Sequence, residues 1–207
     1  MTFINYGQGY IILLIKYLTM KKQLFAFIFV FSLVAITTYG QQSGSVSDLI
    51  LKSYSARTFT SVPVSDGNLD IILKCGIKAP SASNAQPWKF IVVRNNSLMQ
   101  EMINNVNQGN VLIVVCGSEA RPSAIVDFDC ALATENMTLA AQSLGLGARI
   151  YFNPLTKINS SMKQSLQIPD GYRAVAVLRV GHIESNVDAV SAASPRNSFE
   201  DVVTFLR

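Results

Sequence analysis

Six consecutive apolar residues, Val111–Cys116, set the first requirement on the fold of this 207-residue chain. A strand that is apolar at every position has to be covered on both faces, as in the middle of a sheet. The stretch 127–144 adds a second requirement, because its apolar residues run almost all the way around a helix and predict a central helix packed on several sides. The chain therefore needs helices on both sides of a sheet.

Hydrophobic periodicity and turn residues predict the remaining elements. Gly145 and Gly147 are expected to end the long helix. The turn Pro169–Gly171 is expected to precede the last strand. Further helices are predicted at 48–54, from Ser65 or Asp66 to Pro80, at 98–106 and at 160–166, and further strands at 89–93, 148–152 and 174–180. This order gives one α+β domain with a small sheet covered by helices.

The first forty residues have the composition of a leader. Met20-Lys21-Lys22 precedes an apolar stretch that ends at small and polar residues near Gly40, which is the order of a secretory signal. We expect a signal peptide at about 20–40, an over-extended start before it, a linker at 41–47 and the domain at 48–207. We therefore expect export to the periplasm. The alternative is that the leader stays uncleaved and anchors the protein in the membrane.

Charge excludes one class of function. The chain has 17 basic and 13 acidic residues, for a net charge of +4. Three of the basic residues, Lys16, Lys21 and Lys22, lie in the leader, so most of the positive charge belongs to the leader. The remaining basic residues form no cluster interleaved with aromatic residues, so nucleic-acid binding has no electrostatic basis. We also expect no stable membrane span once the leader is removed.

The sequence lacks the residues that a metal site or a serine hydrolase would need. His182 is the one histidine of the chain, and no Gly-x-Ser-x-Gly motif accompanies it, so a serine hydrolase that uses His182 as its base is a weak alternative. Cys75, Cys116 and Cys130 show no metal-ligand spacing and are expected to be small buried hydrophobic residues. His182 itself is expected to be a polar residue at a strand end.

Two polar segments on either side of the second predicted helix are the best candidates for a site. The first, Ser53–Phe59, places Ser53, Ser55 and Arg57 at alternate positions, which in an extended chain puts hydroxyl groups and a guanidinium on one side, as a phosphate requires. The second is the Ser- and Asn-containing loop from Pro80 to Trp88.

Together these segments resemble the signature of the FMN-dependent nitroreductase family. That signature contains an Arg-x-Ser-x-Arg/Lys-x-Phe run, matched at 53–59 except for Ser53, and a Pro-Ser-x-x-Asn-x-Gln-Pro-Trp loop, matched in full at 80–88. The resemblance extends from about Asp48 to Arg207. It implies a nitroreductase-like fold with a small, mostly antiparallel sheet, and a homodimer in which the C-terminal tail is exchanged between subunits.

The resemblance also implies the residues that hold FMN. Ser55, Arg57 and Arg196 would bind the phosphate, and the loop from Pro80 to Asn84 would contact the isoalloxazine ring from the partner subunit. Phe152 and Asn153 stand where many relatives have Glu-Gly against the flavin, so only backbone contacts are expected there. The full set of cofactor-binding candidates is Ser53, Tyr54, Ser55, Arg57, Pro80, Ser81, Ala82, Asn84, Phe152, Asn153 and Arg196.

The function implied is an FMN-dependent oxidoreductase that reduces nitroaromatic or quinone-like acceptors by a ping-pong mechanism. NAD(P)H is the reductant that the resemblance implies, and an exported enzyme would need another one. The segment between Met102 and Val111 is too short for a helical insertion over the pocket, so we expect an open pocket. The alternative is an exported flavin-binding or cofactor-free relative without NAD(P)H-dependent activity.

Overall fold

The computed structural model describes Tyr17, residues 45–184 and residues 195–206. It divides the chain into two units, Met1–Ser45 and Val46–Arg207. The predicted signal peptide and most of the linker lie outside the described residues, as does the polar stretch 185–194. Among the helices of the described part of the chain, none is both long and apolar enough to cross a membrane.

The second unit is an α+β domain built on a four-stranded antiparallel sheet. Its helices are α1 (Val46–Lys52), α2 (Asp66–Ile77), α3 (Asn96–Met102), α4 (Ser123–Ser143), α5 (Leu155–Lys157), which continues as a π-helical turn at Ile158–Met162, and α6 (Phe199–Val202). Its strands are β1 (Trp88–Val93), β2 (Val111–Ser118), β3 (Gly147–Tyr151) and β4 (Tyr172–Gly181), in the order β1-β2-β4-β3.

Strand β2 lies inside the sheet and is buried on both faces, as its apolar sequence predicts. Val111, Ile113 and Val115 belong to the core cluster that also contains buried residues of α2 and α4. The alternate residues Leu112, Val114 and Cys116 belong to the cluster that contains buried residues of α3 and of the π-helical turn. The sheet is therefore the middle of three layers, because side chains of one strand alternate between its faces.

Helix α4 is the longest described helix, with 21 residues, and it packs against α2 and the sheet. It begins four residues earlier than the pattern predicts, directly after Pro122, which is a favourable residue at a helix start. Gly145 ends it in the left-handed conformation, with φ of 74°. Gly147 does not take part in this ending, contrary to the prediction, because it is the first residue of β3.

Two predicted helices are displaced. The helix expected at 98–106 spans only Asn96–Met102, because Asn95 caps its start and Ile103 already has an extended backbone. The helix expected at 160–166 lies instead at 155–162, directly after Pro154. Hydrophobic periodicity is a poor guide to such boundaries, which depend on one or two residues.

Two of the three cysteines are fully buried, as predicted, and the third is buried only in part. Cys116 and Cys130 are fully buried, and Cys75 is half-buried. Burial raises the pKa of the Cys116 thiol to about 12, and burial together with the nearby Asp127 carboxyl raises the pKa of Cys130 to about 12. These two thiols are therefore core side chains and not nucleophiles.

Candidate active site

The segment Ser53–Phe59, here called the arginine segment, runs past the C-terminal end of α4 and the start of β3. The carbonyl of Tyr54 accepts a hydrogen bond from Gln142 Nε2 at 2.9 Å, and the Ala56 N–H donates to the Ala148 carbonyl at 3.0 Å. Ala56 is fully buried, whereas Ser55 and Arg57 on either side of it are exposed. The segment thus presents a hydroxyl and a guanidinium in the same direction.

Ser53 does not share this extended geometry. Its N–H donates to the Ile50 carbonyl at 3.1 Å, so Ser53 closes the last turn of α1 and is half-buried. Tyr54 is also half-buried. Of the three residues predicted to share one side, Ser55 and Arg57 are both exposed around the buried Ala56, whereas Ser53 lies at the helix end.

Two glycines allow the arginine segment to lie close to the sheet. A Cβ atom on Gly147 would lie 2.2 Å from Ile183 Cγ2 and 2.8 Å from the Cβ of Ala56. A Cβ atom on Gly181 would lie 2.8 Å from Asn110 Nδ2 and 2.9 Å from Phe59 Cδ1. Both positions exclude any larger residue without movement of the backbone or of a buried side chain.

Beneath the arginine segment lies a buried cation that sequence reasoning missed. The Arg179 guanidinium stacks on the ring of Phe59 at 4.1 Å, and its Nε donates to Asn110 Oδ1 at 2.8 Å. Burial lowers the pKa of Arg179. The signal in the sequence was an arginine inside the otherwise apolar strand Ala174–Val180, where a buried cation needs polar or aromatic partners.

The loop Pro80–Trp88, here called the proline loop, presents its central residues to solvent. Pro80, Ala82 and Asn84 are exposed and Ser81 is half-buried, whereas the closing residue Trp88 is in the core. The Gln86 N–H donates to Ser81 Oγ at 2.9 Å and closes the loop on itself. Ser83, Asn84 and Gln86 all have positive φ angles, between 46° and 55°.

The proline loop is fastened to α4 by Asp129, which the sequence analysis did not single out. Asp129 Oδ1 accepts a hydrogen bond from the Ala82 N–H at 3.0 Å, and only 2% of the residue's surface is exposed. Between this loop and α4 lies a cavity of about 660 Å³. Its walls are Pro80, Ser81, Ala82, Ala124, Ile125, Phe128, Asp129 and Leu132.

A second cavity, of about 360 Å³, lies between α4 and the strands β3 and β4. Phe152 lines it and is 66% exposed, and Asn153 beside it is exposed as well. Asp127 and Arg173, which form an ion pair, lie in the same wall. A ligand at this place would meet the Phe152 ring and, as expected from the sequence, no glutamate.

His182 and Arg196 lie at the margins of this arrangement. The His182 carbonyl accepts a hydrogen bond from the Thr60 N–H at 2.8 Å, which fits its predicted role at a strand end. Arg196 is exposed in the described stretch 195–206. In the part of the chain that the structure describes, no group of histidine, cysteine and acidic side chains is arranged to hold a metal ion.

The two segments lie far apart within one chain. Asp129 contacts the proline loop and Gln142 contacts the arginine segment, and both residues belong to α4. At a rise of 1.5 Å per residue, these contacts are roughly 20 Å apart along the helix. The two candidate segments of one chain therefore contact α4 at well-separated points along its length.

Comparison with known families decides which chemistry this arrangement belongs to. The family model described as "Nitroreductase family" matches residues 50–111 and 104–182, which include both segments and α4. The chain belongs to the nitroreductase family.

Relatives in this family carry names that agree with one another. A protein of Archaeoglobus fulgidus named NADH dehydrogenase/NAD(P)H nitroreductase is 32% identical over 156 residues, which are 70% of this chain and 88% of that protein. A protein of the same name from Methanothermobacter thermautotrophicus is 31% identical over 153 residues, 68% of this chain and 78% of that protein. The fold resembles a nitroreductase from Desulfovibrio desulfuricans in complex with FMN, with a TM-score of 0.69 and 25% identity, covering 79% of this chain and 98% of that one.

We expect the close approach at Gly147 to be essential for placing the arginine segment in this nitroreductase. Gly147→Ala forces a methyl group against Ile183 and Ala56, and it should lower the free energy of unfolding by about 1–3 kcal/mol. Urea denaturation followed by circular dichroism measures this loss.

Gly67→Ala is the matched control. Gly67 lies in the first turn of α2, and a Cβ atom there would meet nothing within 4 Å. Alanine is also the better helix former, so this variant should be unchanged or more stable by up to about 1 kcal/mol. Equal stability of the two variants would contradict the packing of the arginine segment on Gly147.

Proposed function

We propose that this protein is an FMN-dependent oxidoreductase that reduces nitroaromatic or quinone-like acceptors. One observation carries the proposal: Ser55 and Arg57 are held exposed over a buried anchor at one end of α4, and the proline loop is held exposed at the other. Ser55 and Arg57 offer hydrogen-bond donors to a phosphate, and the proline loop offers exposed polar groups to a ring. The names of the relatives, which include NAD(P)H nitroreductase and a complex with FMN, support the same chemistry.

The residues present fit a phosphorylated flavin. A guanidinium and a hydroxyl that project together suit a phosphate dianion. We propose that Arg196 adds a second guanidinium and that Asn84 offers its amide to the ring edge. Ser53 stands in place of an arginine and its N–H is used by the helix end, so the phosphate site relies mainly on Arg57.

We infer that each site is completed by a second copy of the chain. The two halves are roughly 20 Å apart along α4 within one chain. A two-fold axis that sets two α4 helices side by side in opposite directions brings the proline loop of one copy to the arginine segment of the other. The homodimer is therefore part of the proposed function and not a separate property.

Exposed apolar residues provide surface for this dimer. Phe128 on α4 is 66% exposed and Leu206 near the C-terminus is 95% exposed. The stretch Phe199–Leu206 contains a single helical turn capped by Ser198, is exposed throughout, and has five large apolar side chains among its eight residues. We propose that this tail packs on the partner subunit. The other exposed apolar residues of the domain are Val46, Ile50, Leu51, Val62, Ile71, Ile77, Val92, Ile125 and Phe152.

When bound, FMN supplies the transfer of an electron pair from a reductant to an acceptor. The chain's own residues bind and orient: Arg57 and Ser55 hold the phosphate end, and the proline loop limits where a second ring can lie. We propose that reductant and acceptor occupy the same cavity in turn, which gives ping-pong kinetics. NAD(P)H is the proposed reductant, and another donor replaces it if the enzyme acts outside the cytoplasm.

Arg57→Ala should weaken FMN binding by about 10- to 100-fold, because it removes a charged hydrogen bond of about 1.5–3 kcal/mol. Arg57→Lys should lie between this variant and the unaltered protein, because lysine keeps the charge but loses the planar pair of donors. Titration of FMN, followed by quenching of its fluorescence, measures the affinity.

Arg121→Ala is the control, because Arg121 is an exposed arginine in the turn before α4 and lies in neither segment. Its FMN affinity should not change. An unaltered protein that purifies colourless and does not take up FMN would instead favour the alternative, a family member that keeps the fold for a binding role.

A mixture of two defective variants tests whether each site is shared. Arg57→Ala and Asn84→Ala each damage both sites of their own homodimer. In a mixed dimer, one site carries both substitutions and the other carries neither. If the site is shared between subunits, co-expression and purification of the mixed dimer through two different tags should restore one high-affinity FMN site per dimer. If each site is built from one chain, no high-affinity site will appear.

We propose export as the location of this activity, on the strength of the lysine pair, apolar stretch and small residues at 20–40. Mass spectrometry of the protein isolated from a cell envelope fraction should find an N-terminus close to residue 41. A chain that retains residues 20–40 and stays with the membrane would support an uncleaved anchor.

A further inference from the structure

Arg179 is the only basic residue that is buried in the core in the described part of the chain. Only 6% of its surface is exposed, and no carboxyl group of the described residues forms an ion pair with it. Its register partner on β3 is also basic, because Arg149 lies opposite Arg179. Like charges opposite each other destabilise a sheet, and a buried charge without an opposite charge is costly. The fold therefore keeps positive charge here at a cost in stability.

The Arg179 guanidinium orients two asparagine side chains. Nε donates to Asn110 Oδ1 at 2.8 Å, and Nη2 donates to Asn107 Oδ1 at 3.4 Å. Because a guanidinium only donates hydrogen bonds, both carboxamides turn their oxygen to Arg179 and their NH₂ group away from it. These NH₂ groups hold the backbone: Asn107 Nδ2 donates to the Phe59 carbonyl at 2.6 Å, and Asn110 Nδ2 donates to the Thr60 carbonyl at 2.9 Å.

These hydrogen bonds fix the backbone shortly after Arg57. The bond from the Ala56 N–H to the Ala148 carbonyl fixes it directly before Arg57. Arg57 and Thr58 therefore lie between two anchored points of the chain. A guanidinium binds a phosphate well only if it is held in the right place, so this network determines how precisely Arg57 can meet a phosphate.

We propose that Arg179 is a positioning residue for the phosphate of the flavin. It holds the end of the arginine segment through the two asparagines, and its unpaired positive charge adds to the attraction of Arg57 for a dianion. That charge offsets part of the loss of the arginine that the family signature has in place of Ser53. This inference rests on the proposed function, because it concerns the phosphate site proposed there.

The test compares FMN with riboflavin, which has the same ring and ribityl chain but no phosphate. Calorimetric titration of the full chain with each flavin gives a ratio of affinities that measures the contribution of the phosphate. Arg179→Met places an unbranched side chain without charge or donors in the core, and it should weaken FMN binding about tenfold. Riboflavin binding should change by less than about twofold, because the phosphate site does not contribute to it.

Arg179→Lys is the milder variant, because lysine keeps a charge but cannot donate to both asparagines with one planar group. Its FMN affinity should lie between those of Arg179→Met and the unaltered chain, with riboflavin binding unchanged. Arg94→Met is the matched control. Arg94 also donates to a backbone carbonyl, that of Val64 at 3.1 Å, but its charge is paired with Asp66. This control should keep the affinity ratio of the unaltered chain.

Amide hydrogen exchange measures the positioning effect without any flavin. The Thr60 N–H donates to the His182 carbonyl at 2.8 Å, next to the carbonyl that Asn110 holds. It should exchange faster in Arg179→Met and in Arg179→Lys than in the unaltered chain, because local opening becomes easier when the asparagines are released. If Arg179→Met does not fold, Arg179→Lys decides the question through the affinity ratio and this exchange rate.

An equal loss of affinity for both flavins overturns the inference, because it shows that Arg179 has a structural role only. An FMN affinity that stays unchanged in the Arg179 variants overturns it too, and so does an unchanged exchange rate of the Thr60 N–H. These results leave the proposed function intact, because the unaltered chain still binds FMN. An unaltered chain that binds neither flavin contradicts the proposed function itself, and the inference fails with it.

Discussion

The contact of α4 with the sheet is the interaction on which the rest of the domain depends. Its buried residues, including Cys130, Ala133 and Met137, belong to the same core cluster as Val111 and Ile113 of β2. Because a helix packed on several sides cannot shift along its axis without losing these contacts, it fixes two distant points of the surface. Asp129 holds the proline loop near one end, and Gln142 holds the arginine segment near the other.

The candidate site lies on loops, and very close packing beneath them holds their backbone in place. The arginine segment lies against Gly147 and Gly181, where even a methyl group would not fit. Phe59, at the end of that segment, packs closely on Gly181 and carries the Arg179 guanidinium over its ring. An exposed arginine such as Arg57 can bind an anion selectively only if its backbone does not move, and these buried contacts supply that rigidity.

Much of this architecture could be predicted from the sequence, and the omissions have a common physical cause. Val111–Cys116 predicted a strand buried on both faces, and the apolar stretch 127–144 predicted a central helix. Both predictions succeeded because a buried face requires apolar residues at every position that points to it. The ends of α3 and the helical turn after Pro154 were misplaced, because caps and turns depend on one or two residues. Asp129 and Arg179 were missed altogether, because a single polar residue in an apolar pattern shows its partners only after the chain has folded.

The backbone of the proline loop shows why Asp129 matters beyond its single hydrogen bond. Ser83, Asn84 and Gln86 adopt left-handed conformations, which cost on the order of 1 kcal/mol each for residues other than glycine. Gln86 donates local hydrogen bonds to Ser81 Oγ and Asn84 Oδ1, which offset part of that cost but hold the loop only relative to itself. The Ala82–Asp129 bond ties it to α4. A strained loop is thus fastened to the central helix by one buried carboxyl, so the position of its exposed residues depends on that single hydrogen bond.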